Sequence, residues 1–200
     1  MATASSHLGK RVFRLGALAL LLVGLSGCQS INIDATNAAQ LRVITASPDA
    51  PAQDIYQNNS ALAYNLGFGT VTSYMPLAAG TYTLSATKTN TSQTLASAKA
   101  AFGSTKQYTV IVGNIAANMQ ETILQDQSQP APAGQVSLRF VHQATRVGAV
   151  DIYLVPRGGK LTATSPVATN MDFGSNSSYI NVPAETYAIA VVPALSLIHI

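Results

Sequence analysis

The sequence predicts an all-β protein built from tandem immunoglobulin-like Greek-key β-sandwich domains, the second incomplete. Three observations carry this. A long stretch occurs twice: Leu41-Arg42-Val43-Ile44 and Asp54-Ile55-Tyr56 are answered, at the same spacing, by Leu138-Arg139-Phe140-Val141 and Asp151-Ile152-Tyr153. Downstream, Phe68-Gly69, Tyr74 and Thr81-Tyr82 are answered by Phe173-Gly174, Tyr179 and Thr186-Tyr187. A repeat this long exceeds the units of solenoids and reads as tandem domains. Within each copy, short runs of apolar alternation are separated by Gly, Pro and Asn, and no run has a helical period; this is the pattern of a sandwich. Finally, charged residues are 10% of the chain and hydrophobic ones 48%. Thr, Ser, Asn and Ala therefore fill the surface positions, and the apolar content argues against a disordered chain.

The chain opens with a basic segment, Lys10, Arg11 and Arg14, followed by the apolar run Leu15 to Val23. That run has the length of a signal-peptide core and falls short of the ~20 apolar residues of a membrane span. Leu25-Ser26-Gly27-Cys28 comes next and resembles the bacterial lipobox, in which the cysteine receives a diacylglycerol thioether before cleavage. The reaction needs a thiolate nucleophile. Cys28 is the only cysteine of the chain, so it has no disulfide partner within it, and a lone exposed thiol in an oxidising compartment would need another explanation. The expectation is a signal peptide over 1–27, lipidation at Cys28, and a polar tether over 28–39. Gln29, where Asp would favour inner-membrane retention, points to the outer membrane.

The first sandwich is expected over 40–126. Leu41, Val43 and Thr45 alternate with Arg42 and Ile44 in its first strand. Ser47-Pro48-Asp49-Ala50-Pro51 is a turn, because its prolines lack donors and force extended neighbours. Asp54-Ile55-Tyr56 begins the second strand, and Asn58-Asn59 turns into Ala61 to Leu66. Val71 to Leu77 and Thr81 to Thr87 follow, the latter with Tyr82, Leu84 and Ala86 on one face. Thr94 to Phe102, Lys106 to Val112 and Gln120 to Leu124 complete about eight strands. The run 127–134 (QSQPAPAG) is a linker.

The second sandwich, over 135–194, repeats the order with strands at Gln135 to Gln143, Val150 to Val155, Pro166 to Met171, Ser178 to Val182 and Thr186 to Val192. An insertion of about eight residues lies around Pro156 to Ser165. Nothing answers the last three strands of the first copy, which would leave apolar faces and edges uncovered. The closing stretch 195–200 (LSLIHI) breaks the alternation and is expected to be a non-native tail on a truncated domain.

Charge excludes one class of partner. The formal net charge is +3, but after Cys28 eight bases face eight acids with no basic stripe, so no nucleic-acid footprint is present. No P-loop, dinucleotide fingerprint or Gly-x-Ser-x-Gly elbow occurs. His142 is the one histidine between leader and tail; it shares a strand face with Leu138 and Phe140, which suits a satisfied strand-end histidine better than a base or ligand. Asp49 and Asp54 flank the proline-rich turn and are weak candidates for calcium, against the simpler reading that Asp49 caps its own turn. Tyr56, Tyr74, Tyr82 and Tyr108 could form a sugar-stacking platform, but three of them recur as Tyr153, Tyr179 and Tyr187, which suits core or corner positions.

The run LRVITASPDAPAQDIY, the FG…SY step and the AGTYTLSAT strand resemble the bacterial family of unknown function DUF4397. The resemblance spans nearly all of the chain after Cys28. It is strong in the first copy and weaker in the second, where Ala144 to Gly148 replaces the Ser-Pro-Asp-Ala-Pro turn and Glu185 stands in the place of Gly80. It implies tandem β-sandwich lipoproteins and no established activity. The expected function is a non-enzymatic cell-envelope lipoprotein presenting its domains for protein or surface interaction, without cofactor, membrane-attached through Cys28. The alternative is a surface carbohydrate-binding module.

Overall fold

In the computed structural model, residues 37–194 are described. They form thirteen strands and two short 3-10 turns, at Ala116–Asn118 and Leu161–Ala163. No helix among them is long and apolar enough to cross a membrane. Eight strands belong to the first half: β1 (Ala39–Thr45), β2 (Gln53–Gln57), β3 (Ser60–Leu66), β4 (Met75–Leu77), β5 (Gly80–Lys88), β6 (Thr94–Phe102), β7 (Gln107–Gly113) and β8 (Gln120–Gln125). Five belong to the second: β9 (Gln135–Leu138), β10 (Val150–Pro156), β11 (Ala168–Met171), β12 (Ile180–Pro183) and β13 (Tyr187–Pro193). The fold is all-β, with several sheets and none closed into a barrel, as a β-sandwich requires.

The first half packs two four-stranded sheets face to face, β4-β1-β7-β8 on β3-β2-β5-β6. Period-two alternation decides which side chains meet between them. On β1, Ala39, Leu41, Val43 and Thr45 are buried, while Gln40, Arg42 and Ile44 are partly exposed. β7 lies parallel to β1, with Val43 opposite Val110. Leu41, Val43, Ile55, Leu84, Val110 and Val112 are among the residues of one continuous core, closed at one end by Phe102 against Tyr108.

The second half repeats the first five strands. Its sheets are β11-β10-β13 and β12-β9. The echo extends to individual hydrogen bonds. Thr45 N donates to Thr70 O at 3.0 Å and Gly69 N to Thr45 O at 2.8 Å; His142 N donates to Ser175 O at 3.0 Å and Gly174 N to His142 O at 2.8 Å. Asn65 N donates to Asp54 Oδ1 and Asn170 N to Asp151 Oδ1, both at 2.8 Å. Both asparagines have positive φ, 54° and 46°, a backbone state that Asn tolerates better than most residues.

Two strands are shorter than their alternation suggests. The run Val71 to Leu77 is strand only at β4, with one bridge from Val71 to Ile44. Gln135 to Gln143 is strand only to Leu138, with one bridge from Val141 to Asn176. The cause is the same in both: a hydroxyl stands where a strand carbonyl would. Val43 N donates to Thr72 Oγ1, and Phe140 N to Ser177 Oγ, each at 2.9 Å. Such side-chain bonds compete with the ladder.

Candidate functional site

The residues with most chemistry converge where the halves meet. Asp126 follows β8 at the head of the linker and is 5% exposed. Its backbone N–H donates to Gln107 O at 2.7 Å, which fixes it beside β7. Each carboxylate oxygen faces a different half. Oδ2 accepts from Tyr74 Oη at 2.7 Å and Thr109 Oγ1 at 2.6 Å, both from the first. Oδ1 accepts from Arg139 Nη2 at 2.5 Å and Tyr179 Oη at 3.2 Å, both from the second. The repeat supplies this symmetry. Arg42 lies over the Tyr74 ring at 4.9 Å, and its counterpart Arg139 over the Tyr179 ring at 4.6 Å. Arg42 Nε also donates to Thr109 Oγ1 at 2.8 Å, so the Thr109 hydroxyl accepts from Arg42 while its own O–H donates to Asp126.

Burial pushes the Asp126 carboxyl up, but hydrogen bonds from Thr109 and Tyr74 and the charges of Arg139 and Arg42 outweigh it and hold its pKa below the ordinary value. The same site raises the Tyr74 phenol, first by burial and then by its bond to Asp126. Oδ2 thus ties the carboxylate to the first half, and Oδ1 holds the second half against it.

Away from this junction an open cleft of about 440 Å³ is shared by both halves, with Asp49, Phe68 and Ile115 from the first and Gln143, Arg146 and Val147 from the second. It adjoins a space of about 490 Å³ lined by Ala46 and Phe68 of the first half and by Phe140, Val150, Ile152 and Val191 of the second. Phe68 is 64% and Val147 49% exposed.

The other candidates of the sequence lie elsewhere. Cys28 is outside the described residues. Asp49 Oδ1 accepts from Ala116 N at 2.8 Å. It therefore caps the distant 3-10 turn and not its own, as the turn reading had it. Asp54 is buried; Oδ1 accepts from Asn65 N and from Thr89 Oγ1 at 2.9 Å, and Oδ2 from Asn90 N at 3.3 Å. The Asn65 amide lowers its pKa, burial opposes this, and Thr89 and Asn90 add to the lowering. No group of three His, Cys, Asp or Glu that could hold a metal ion occurs among the described residues. His142 is buried, its Nδ1 accepting from Ala144 N at 3.2 Å and its Nε2 3.1 Å from Gly148 O, which makes it the brace of loop 143–148. Tyr108 is a corner residue, its hydroxyl accepting from Gly103 N at 2.9 Å. Tyr64 is 66% exposed and meets Tyr56 edge to face at 6.4 Å.

Two residues escaped the sequence reading. Asp126 looked like the last residue before a linker, though the recurrence of Arg42 and Tyr74 as Arg139 and Tyr179 was the available signal. Glu121, on β8, points between the sheets with both carboxylate oxygens enclosed and no well-formed hydrogen bond to either. Burial pushes its pKa up to about 7, and the nearby backbone N–H groups of Ala86 and Ala98 only moderate the shift.

No curated protein matches the chain. The family described as "Domain of unknown function (DUF4397)" matches residues 39–153. The matched stretch covers the whole first half, crosses the linker and ends at Tyr153, short of the reach the resemblance implied. The chain belongs to the DUF4397 family.

Proposed function

We propose that the chain is a non-enzymatic envelope lipoprotein, anchored to the outer membrane through lipidated Cys28, that presents its loops for contact with protein or surface partners. The observation that carries this reading is the open cleft between the halves. Both halves build it, and its rim exposes Phe68 and Val147. Apolar patches with polar rims of this kind mark interaction sites. The buried polar groups support it as well, since Asp54, Asp126 and His142 are all engaged in holding backbone or neighbouring strands.

Binding of envelope proteins to the immobilised chain should fall at least tenfold on Phe68→Asp, with the melting temperature unchanged. Loss of binding only when the fold is lost would sink the reading. Tyr64 and Tyr56 favour the second reading, a carbohydrate-binding module, because stacked sugars need an exposed aromatic face. A glycan array on which one polysaccharide class binds, and binds no longer after Tyr64→Ala, would reverse the order. The anchor has its own test: Cys28→Ser should abolish labelling by a fatty-acid probe, and persistent labelling would show the motif misread.

A further inference from the structure

A buried histidine is held by what its two ring nitrogens reach, and histidine ordinarily changes charge between about pH 5 and 8. His142 is 6% exposed, and both nitrogens meet the backbone of one loop. The Ala144 N–H can only donate, so Nδ1 carries the lone pair that accepts it at 3.2 Å. Gly148 O can only accept, so the ring proton sits on Nε2, 3.1 Å away. The neutral ring is thus fixed in one tautomer and grips loop 143–148 near both ends. The first half fills the same place without a titratable group. Thr45 stands where His142 does and holds residues 67–70, its hydroxyl accepting from Thr70 N at 3.1 Å and donating to Gly67 O. The turn after it is stiffened by Pro48 and Pro51, and Asp49 ties it to Ala116 N. Loop 143–148 contains no proline.

We propose that His142 is a pH-operated latch on loop 143–148: the neutral ring holds the loop, and the protonated ring releases it. Protonation puts a hydrogen on Nδ1, where the Ala144 N–H already points, so an acceptor becomes a donor facing a donor. The surroundings do not compensate the new charge. The space beside the ring is lined by Phe140, Val147, Val150 and Ile152, with Ala46 and Phe68 from the first half and Val191 from β13, and by no charged side chain. Phe173 meets the ring edge to face at 6.4 Å. The charged groups on the elements around it are Arg146 in the loop and Asp172 beside Phe173, both exposed, and Asp151 on β10. Asp151 alternates to the face opposite Val150 and Ile152 and accepts from Asn170 N. Neither carboxylate bonds to the ring, and a buried imidazolium without a partner is costly until the loop opens. The loop carries Gln143, Arg146 and Val147 of the cleft. If the cleft makes the contact proposed above, acid would therefore change that contact, but the latch rests on the loop alone.

Isotope-labelled full chain carrying Cys28→Ser tests the latch by NMR without any partner, so its failure is distinct from failure of the cleft reading. Between about pH 8 and 5 the His142 ring should titrate, and the Ala144 amide should move with the same midpoint. Amides of 143–148 should exchange roughly tenfold faster relative to their intrinsic rates, the scale of one lost hydrogen bond. The amides of Ser47, Asp49 and Ala50, in the proline-stiffened turn, should not follow. Asp126 is held below its ordinary value and stays ionised over this range, whereas Glu121 titrates at about 7. His142→Asn separates the two titrating groups. It offers Oδ1 near the place of Nδ1 and cannot take the proton, so it should abolish the response of 143–148 and leave any response on β8 intact. A ring that stays neutral down to about pH 5, loop amides that ignore the ring, or a loop response that survives His142→Asn would each overturn the proposal.

Discussion

The two halves of this chain share a strand order, a hydrogen-bond pattern and an Arg–Tyr pair, yet one has a closed interior and the other does not. Leu84 and Ala86 are 0% exposed in the first half; Ile189 and Val191, in the same places, are 65% and 58% exposed. The strands β1 to β5 and β9 to β13 are therefore not what closes a sandwich. Closure comes from β6, β7 and β8. β7 lies parallel to β1, β8 pairs with β7, and Phe102 at the end of β6 plugs the core. The lesson is energetic. The same local sequence builds the same local ladder, but burial depends on strands remote in sequence.

The largest test of this difference separates the halves. Ile189 and Val191 are exposed where the first half buries their counterparts, and at roughly 25 cal/mol per Å² a few hundred Å² of uncovered apolar surface forfeits on the order of 5–10 kcal/mol. That rivals the ~5–15 kcal/mol of a whole domain. A fragment ending in the 127–134 linker should keep dispersed amide signals and a cooperative melt. Residues 135–194 alone should show neither. Protection extending through Val192 in the isolated second half would show that five strands suffice.

The next effect bears on what holds the halves together. Asp126→Ala leaves Arg139 without its partner in a site where both side chains are nearly buried, 11% and 4% exposed. Orphaning a buried charge costs about 3–5 kcal/mol. The melt should split into two transitions, the second half unfolding first. The pH dependence has a definite sign. The Asp126 pKa is depressed in the fold, so its contribution is present above the unfolded value, and is lost as pH falls through the folded one. The parent should therefore split its melt in acid as the variant does at neutral pH; a single transition in Asp126→Ala at neutral pH would remove Asp126 from this role.

Much of this contrast was legible in the sequence. The strand positions and the repeat follow from periodicity and turn residues, which are local. The junction was not legible, for a physical reason. Asp126 looks like the start of a linker because its partners, Tyr74, Thr109, Arg139 and Tyr179, are scattered over both halves and meet only after folding. Asp49 misled in the same way: its acceptor role toward Ala116 spans two loops that are distant in the chain. The shortening of the strands at Thr72 and Ser177 depended on a hydroxyl finding a backbone amide, which alternation does not encode.

A smaller effect distinguishes the interiors by pH. Glu121 titrates near 7 in the fold against an ordinary 4.5, a difference worth roughly 3 kcal/mol at ~1.4 kcal/mol per pKa unit. Its folded pKa is raised, so the stability it contributes is fully present below the unfolded value and is lost as pH rises through about 7. The first half should thus be less stable at pH 8 than at pH 5. Glu121→Gln should flatten that slope in urea unfolding. A slope unchanged in the Gln variant would assign it to another group.

The smallest effect concerns Gly113, the last residue of β7, where the halves touch away from Asp126. A Cβ there would fall inside the Gln143 carboxamide of the second half. Two opposing consequences follow for Gly113→Ala. Replacing a strand glycine lowers the entropy lost on folding by an amount worth roughly 0.5–1 kcal/mol. Against this, the carboxamide must move aside, which is inexpensive because it is the far end of a flexible side chain rather than backbone. The stability of the first half should therefore change by less than about 1 kcal/mol, while the Gln143 side-chain amide signals shift and loop 143–148 exchanges its amides faster. The junction would loosen on the cleft side and stay closed at Asp126. Unchanged Gln143 resonances in the variant would mean that the carboxamide does not rest on Gly113, and that the shared carboxylate alone sets the spacing of the halves.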